Sequence, residues 1–135
     1  MRKLKIIVMS FVLISLVGCS EKMAPRLAGS YQSELVDGYV IQLAVQPEDN
    51  TFVQYIDNRE VDRGVVESQS GSTYLFIGNK KEFETTVSVE NTIGLSIAQI
   101  NDGNPIELEN LSEVPTYFST EFDDVKEYEE LLNKK

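Results

Sequence analysis

Twenty-two carboxylates, twelve cationic side chains, one cysteine and no histidine set the chemistry open to this 135-residue chain. Paired carboxylates can run acid–base chemistry of the glycosidase kind when two stand at a suitable separation. The densest group here is Asp57, Glu60 and Asp62, interleaved with Arg59 and Arg63. Opposite charges mixed in one short polar run are the pattern of a solvated turn rather than of a catalytic pair. Calcium needs alternating oxygen ligands, a glycine at the sharp bend and a closing glutamate; Asn101-Asp102-Gly103-Asn104 lacks that pattern. Without histidine or a second cysteine, the serine–histidine and cysteine–histidine nucleophilic sites are excluded, as are the usual zinc, copper and haem ligand sets. No G-x-x-x-x-G-K-[ST] or G-x-G-x-x-G segment offers a cradle for phosphate. No enzyme, metal or cofactor is expected.

The elements around these residues have a period of two. From Ala28, Tyr31, Ser33 and Leu35 alternate with polar positions, and Asp37-Gly38 is a two-residue hairpin signal. Tyr39, Ile41, Leu43 and Val45 form one face of a second strand, which ends at Pro47-Glu48-Asp49-Asn50. A third strand over Thr51–Asp57 puts Phe52 and Ile56 on one face and Val53 and Tyr55 on the other. The fourth, Val61–Ser68, contains Gly64, the sign of a bulge or a close backbone approach. Ser70-Gly71-Ser72 turns into Thr73–Gly78, and Asn79-Lys80-Lys81 turns again. Phe83, Thr85, Val87 and Val89 alternate, then Ile93, Leu95 and Ile97. Asn101–Asn104 is read as the last hairpin, with Ile106 and Leu108 facing inward beyond it. About eight short strands with turns every 8–12 residues predict a mainly β fold, an antiparallel meander closed as a small barrel or left as a curled sheet.

The period changes after Pro115. Ser119 or Thr120 offers an N-cap, and Phe122, Val125, Tyr128 and Leu132 fall within about 120° of one another on a helical wheel. Acidic Glu121, Asp123 and Asp124 at the start and Lys134 and Lys135 after the end suit the helix dipole. One C-terminal amphipathic helix packed on the sheet is therefore expected.

The amino-terminal residues concern location. Arg2, Lys3 and Lys5 precede an apolar run, Ile6 to Val17, broken only by Ser10 and Ser15. Twelve residues make a helix of roughly 18 Å, too short for the ~30 Å hydrocarbon core but right for a secretory signal. The run closes on Leu16-Val17-Gly18-Cys19, which resembles the lipobox of bacterial lipoproteins at all four positions. That resemblance implies cleavage between Gly18 and Cys19 and a diacylglyceryl group on the Cys19 sulfur. Ser20 after the cysteine is, by the same resemblance, compatible with sorting to the periplasmic face of an outer membrane; the outer leaflet of a Gram-positive plasma membrane stays open. The expected organisation is a signal peptide (1–18), a lipidated start and short tether (19–27), an antiparallel β domain (28–111), and a loop with the helix (112–135). The tether Ser20–Leu27 spans at most ~29 Å. Loss of residues 1–18 removes three basic and no acidic side chains, leaving nine against 22 and a net charge of −13. Such a surface repels nucleic acid and favours a cationic partner.

Two further resemblances attach to short segments. Leu27-Ala28-Gly29-Ser30-Tyr31, a meander and a terminal helix are similar to a miniature lipocalin-type (calycin) barrel, whose opening G-x-[WY] is met by Gly29 and Tyr31. It implies that Tyr31 plugs one barrel end as a core residue. Ser70-Gly71-Ser72-Thr73-Tyr74 resembles the S-G-x-x-Y loop of periplasmic lysozyme inhibitors of the MliC/PliC type. There the serine and tyrosine enter the lysozyme cleft, which makes Ser70 and Tyr74 candidate contacts. Three functions follow as expectations. The first is a non-enzymatic lipoprotein whose domain binds an envelope protein near the membrane, using second-face positions such as Val40, Val53, Tyr55, Val65 and Phe76. The second is a small apolar-ligand binder, which needs an internal cavity of several hundred cubic ångströms. The third is the lysozyme inhibitor acting through Ser70 and Tyr74.

Overall fold

The computed structural model describes residues 23–135. The lipobox and its preceding run, with Gly18 and Cys19, lie outside the described residues. Eight antiparallel strands follow in order: β1 (Gly29–Ser33), β2 (Ile41–Gln46), β3 (Thr51–Ile56), β4 (Arg59–Ser68), β5 (Thr73–Gly78), β6 (Glu82–Thr86), β7 (Thr92–Leu95) and β8 (Ile106–Ser112). A single six-residue helix, α1 (Val125–Glu130), follows. The hydrogen-bonded order is β6-β5-β4-β3-β2-β1-β8-β7. The last strand thus returns to the first, and the sheet curls into a nearly closed barrel.

Only the seam between β6 and β7 lacks a ladder. Side chains stitch it instead: the Gly94 amide donates to Thr85 Oγ1 at 3.1 Å, and the Ser88 and Thr92 hydroxyls share a 2.7 Å hydrogen bond at the connecting turn. Alternation fills the interior with Ile41, Leu43 and Val45 from β2, Phe52 and Ile56 from β3, Phe76 from β5, Ile93 and Leu95 from β7, and Ile106 and Leu108 from β8. Strands this short enclose a space that their own side chains fill. Phe76 stacks on Phe83 with centroids 4.5 Å apart, and Phe52 meets Phe76 edge-on at 5.0 Å.

Local chemistry sets the turns and the close approaches. Val36 and Tyr39 exchange two 2.8 Å backbone hydrogen bonds around Asp37-Gly38, the hairpin expected there. Gly64 is a close approach: a Cβ on it would lie 1.9 Å from the Ile77 carbonyl oxygen of β5. The bulge sits elsewhere, opposite Gln54/Tyr55, where β4 carries the extra residue Val61. Gly29 plays the same part for the barrel closure, since its Cβ would fall 1.9 Å from the Ser112 carbonyl of the β8 end. Two residues on, Tyr31 points into the core, and its hydroxyl donates to Asn91 Oδ1 and accepts the Ala28 amide, both at 3.2 Å. The opening Gly-x-Tyr therefore joins first strand to last and plugs one barrel end.

The other end is closed by α1. The connections β1–β2, β3–β4, β5–β6 and β7–β8 all lie there. Leu132, just past the helix, enters the core, with Tyr128 and Leu131 packed beside it. Gln99 clasps the helix end: its amide donates to the Leu131 carbonyl at 3.1 Å, and its side chain to those of Glu130 and Asn133. Two expectations need correction. The β7–β8 connection does not turn simply at Asn101–Asn104, because Ile97 and Ile100 bridge across Ala98-Gln99 first and bury both isoleucines beneath the helix. The helix does not begin near Ser119 or Thr120. It starts at Val125, with Asp124 as an N-cap whose carboxylate is engaged by Arg59 instead of capping backbone amides.

Candidate functional site

The segment 113–124, expected as a loop, is an extended strap that crosses the outer face of β1, β2 and β3. Ser30 Oγ donates to the Val114 carbonyl at 3.1 Å and accepts the Thr116 amide at 2.7 Å. Further along, the Phe118 amide donates to the Tyr55 hydroxyl at 3.3 Å, and the two rings meet edge-on at 4.9 Å. Ala44, Val53 and Tyr55 form a second, external apolar cluster with Phe118 as its cover. Burial and the nearby Glu60 carboxylate push the Tyr55 phenol upward, burial being the larger cause.

The strap is pulled to the barrel end by the polar run expected as a solvated turn. Arg59 donates through Nε and Nη2 to both oxygens of Asp124, each at 3.0 Å, and its guanidinium lies over the rings of Phe122 (3.8 Å) and Tyr128 (4.7 Å). That hydrogen bonding holds the Asp124 carboxyl below its ordinary value. Asp57 takes the Val40 amide at 2.8 Å and the Tyr128 hydroxyl at 3.2 Å. Asp62 is buried and accepts the backbone amides of Arg63, Lys80 and Lys81 at 2.8 to 3.1 Å, which fixes the β5–β6 turn. Within this run Arg63 and Glu60 pair at the surface. These carboxylates are committed to structure.

The four candidate contact residues are not brought together. Phe76 is 0% exposed and sits in the core, so it belongs on the inner face and not on the second face where it was expected. The register explains the shift: Val66 and Phe76 are paired and both point inward, leaving Val65 and Ile77 outside. Tyr55 does lie on the outer face but is 3% exposed under the strap, and Val53 beside it is buried too. Tyr74, two residues before Phe76, shares its inward parity; its hydroxyl accepts the Leu27 amide at 3.3 Å near the Tyr31 end. Ser70 remains at the exposed β4–β5 turn, where its carbonyl accepts the Thr73 amide. Ser70 thus stays at the surface turn while the Tyr74 hydroxyl is engaged by the Leu27 amide.

What stays open on the outer face is a groove of about 560 Å³ alongside the strap, lined by Val53, Tyr55, Arg63, Val65, Tyr117 and Phe118 among others. Val65 is 46% exposed at its centre. Leu75 and Ile77 of β5, half-buried, continue the apolar band beyond Val65. Carboxylates edge it, with Glu67 on β4 opposite Leu75 and Glu82 and Glu84 on β6 opposite Ile77 and Leu75. No family model, no curated protein and no solved structure matches the chain. Among the described residues no group of three or more acidic side chains converges to hold a metal, and no helix is long and apolar enough to cross a membrane.

Sequence reasoning missed the strap and the clasp. Pro115 within Val114-Pro115-Thr116 marked an end to β structure but not an extended cover. Phe118, an isolated aromatic between polar residues, was the available signal.

Proposed function

We propose that the chain is a non-enzymatic envelope lipoprotein, anchored through lipid on Cys19, whose barrel docks a protein partner near the membrane surface. The carrying observation is the apolar band of exposed Val65 and half-buried Ile77 and Leu75 on the outer face, edged by Glu67, Glu82 and Glu84, with Tyr117 across the groove from Val65. An apolar centre with a charged rim is the anatomy of a docking patch, and a rim of carboxylates selects a partner carrying Lys or Arg around an apolar anchor. The net charge of the exported chain points the same way. The periplasmic face of an outer membrane is the favoured location, because Ser20 follows the cysteine. The reading gives no role to Ser70 and Tyr74.

A photo-cross-linking residue placed at position 65 in cells tests the patch, with the same residue at position 107 on the far side as control. The expected result is a discrete adduct from position 65 only, lost on Ile77→Lys and weakened by added salt. Equal yields from both positions would sink the docking face. Separately, Cys19→Ala should release the protein from the membrane fraction; retention would refute the anchor.

A further inference from the structure

A second opening lies on the β6–β7 seam. The hairpin is tight at Ser88–Thr92 and splays toward the helix end, leaving a cleft of about 520 Å³. Its apolar walls are supplied by Phe83 of β6, Ile97 of the β7–β8 connection and Leu132 after the helix, with Ser96, Ala98 and Gly103 between them. Gln54 lies at its floor. This residue occupies an inward position of β3 between Phe52 and Ile56, paired across the sheet with Leu43 and Asp62. It is 3% exposed, yet no side-chain hydrogen bond holds its amide among the described residues, and no polar side-chain atom fully sealed from solvent lacks a partner. The amide therefore meets the cleft.

An amide at an inward strand position, where a leucine would pack, is costly unless something outside the chain meets it. The other buried polar side chains have fixed tasks: Ser33 bridges to the Ile41 amide, Gln42 pairs with Asn58, Thr85 stitches the seam and Asp62 holds a turn. Gln54 alone of this set has its donor and acceptor free. The mouth carries Lys81 and Lys134 against Glu82 and Asp102, a balanced rim on a strongly acidic chain, so no net charge is selected.

We propose that this seam cleft binds a small neutral molecule with an apolar body and one amide, the body resting on Phe83, Ile97 and Leu132 and the amide pairing with Gln54. The volume falls in the range of small-molecule sites, and one polar group at an apolar floor is how such sites fix orientation. The site shares only Glu82 with the docking face and does not depend on it.

The test uses the full chain in lipid nanodiscs and a diazirine-bearing alkyl acetamide, with N-hexylacetamide as competitor. Labelling should fall on the peptides holding Phe83, Ile97 and Leu132 and be competed by the amide, while hexanoate and hexylamine of matched length compete poorly. Gln54→Leu, which places an apolar side chain where the interior is apolar, should raise the competing concentration about tenfold, the effect of one lost hydrogen bond to a buried amide. Ala98→Phe, at the cleft wall, should abolish labelling by filling the space. Labelling elsewhere, unchanged competition in Gln54→Leu, or labelling that survives Ala98→Phe would each overturn the site. A Gln54→Leu protein that is more stable and loses nothing would assign the cleft to water alone.

Discussion

Replacing Gly64 by alanine is the sharpest challenge to the barrel's register. The added Cβ would stand 1.9 Å from the Ile77 carbonyl oxygen and 2.8 Å from Gly78 Cα, both backbone atoms of β5. Ordinary contact begins near 3.4 Å, so β4 and β5 must part by about 1.5 Å. A displacement of that size takes neighbouring ladder hydrogen bonds out of range. Two such bonds at about 0.5–1.5 kcal/mol each, with about 1–3 kcal/mol for overpacking, give a loss of about 2–6 kcal/mol. Against a typical stability of about 5–15 kcal/mol the variant folds but sits close to its threshold. Gly94→Ala is the control, because the nearest atom to its Cβ, on Pro105, is 3.9 Å away. Urea unfolding followed by far-ultraviolet circular dichroism should show a clearly lower midpoint for Gly64→Ala and a near-native one for Gly94→Ala. Equal midpoints, or a Gly64→Ala loss under about 1 kcal/mol, would refute the close approach and with it the pairing of Gly64 with Gly78.

The remaining expectations concern the cover and the cap. Asp124 is held below its ordinary value by Arg59, so its contribution is present above about pH 4 and disappears as pH falls through its folded value. Amide exchange at Leu131 and Leu132 should accelerate relative to the barrel on acidification, and Asp124→Asn should show the fast rate at every pH. Leu132→Ala should cost about 2–3 kcal/mol in urea unfolding, the low end for leucine truncation because a barrel end can collapse; a neutral result would place Leu132 outside the core. Phe118→Ala removes an aromatic pair of about 0.5–1.5 kcal/mol and uncovers Tyr55, whose phenol should titrate closer to 10 by ultraviolet difference absorbance. An unmoved Tyr55 titration would show that the strap is not its cover.

The fold was legible in the chain because each strand is short and faithful to a period of two. Ile41-Gln42-Leu43-Ala44-Val45 and Thr51-Phe52-Val53-Gln54-Tyr55-Ile56 declare their faces residue by residue, and Asp37-Gly38 declares its turn. Legibility fails where polar groups are spent on long-range contacts. Arg59 and Asp124 are 65 positions apart, and neither residue type nor spacing marks them as partners. The two-residue turn before Arg59 hid a docking point behind the appearance of a solvated loop. Phe76 was misplaced for a different reason: in Thr73–Gly78 the apolar residues run Tyr74-Leu75-Phe76-Ile77 without alternation, so pattern alone leaves the inward face undecided. Gln54 was visible only as a polar member of a strand, and its burial depends on a barrel that sequence left open as a curled sheet.

The two stoppers of the barrel differ in kind, and this gives the molecule a direction. Leu27, Tyr31 and Tyr74 close the end at which the described chain enters, whereas Leu132 and the helix close the opposite one. Under the proposed anchor at Cys19, the entry end would face the bilayer and the helix end would look away from it. On that proposal the splayed mouth of the seam would open toward the aqueous side, and the Val65 band would run along the flank. A partner approaching along the surface would meet the flank, and a solute diffusing in the compartment would meet the mouth. A tag fused after Lys135 would stand beside Lys134 at the seam mouth and leave the flank approach free.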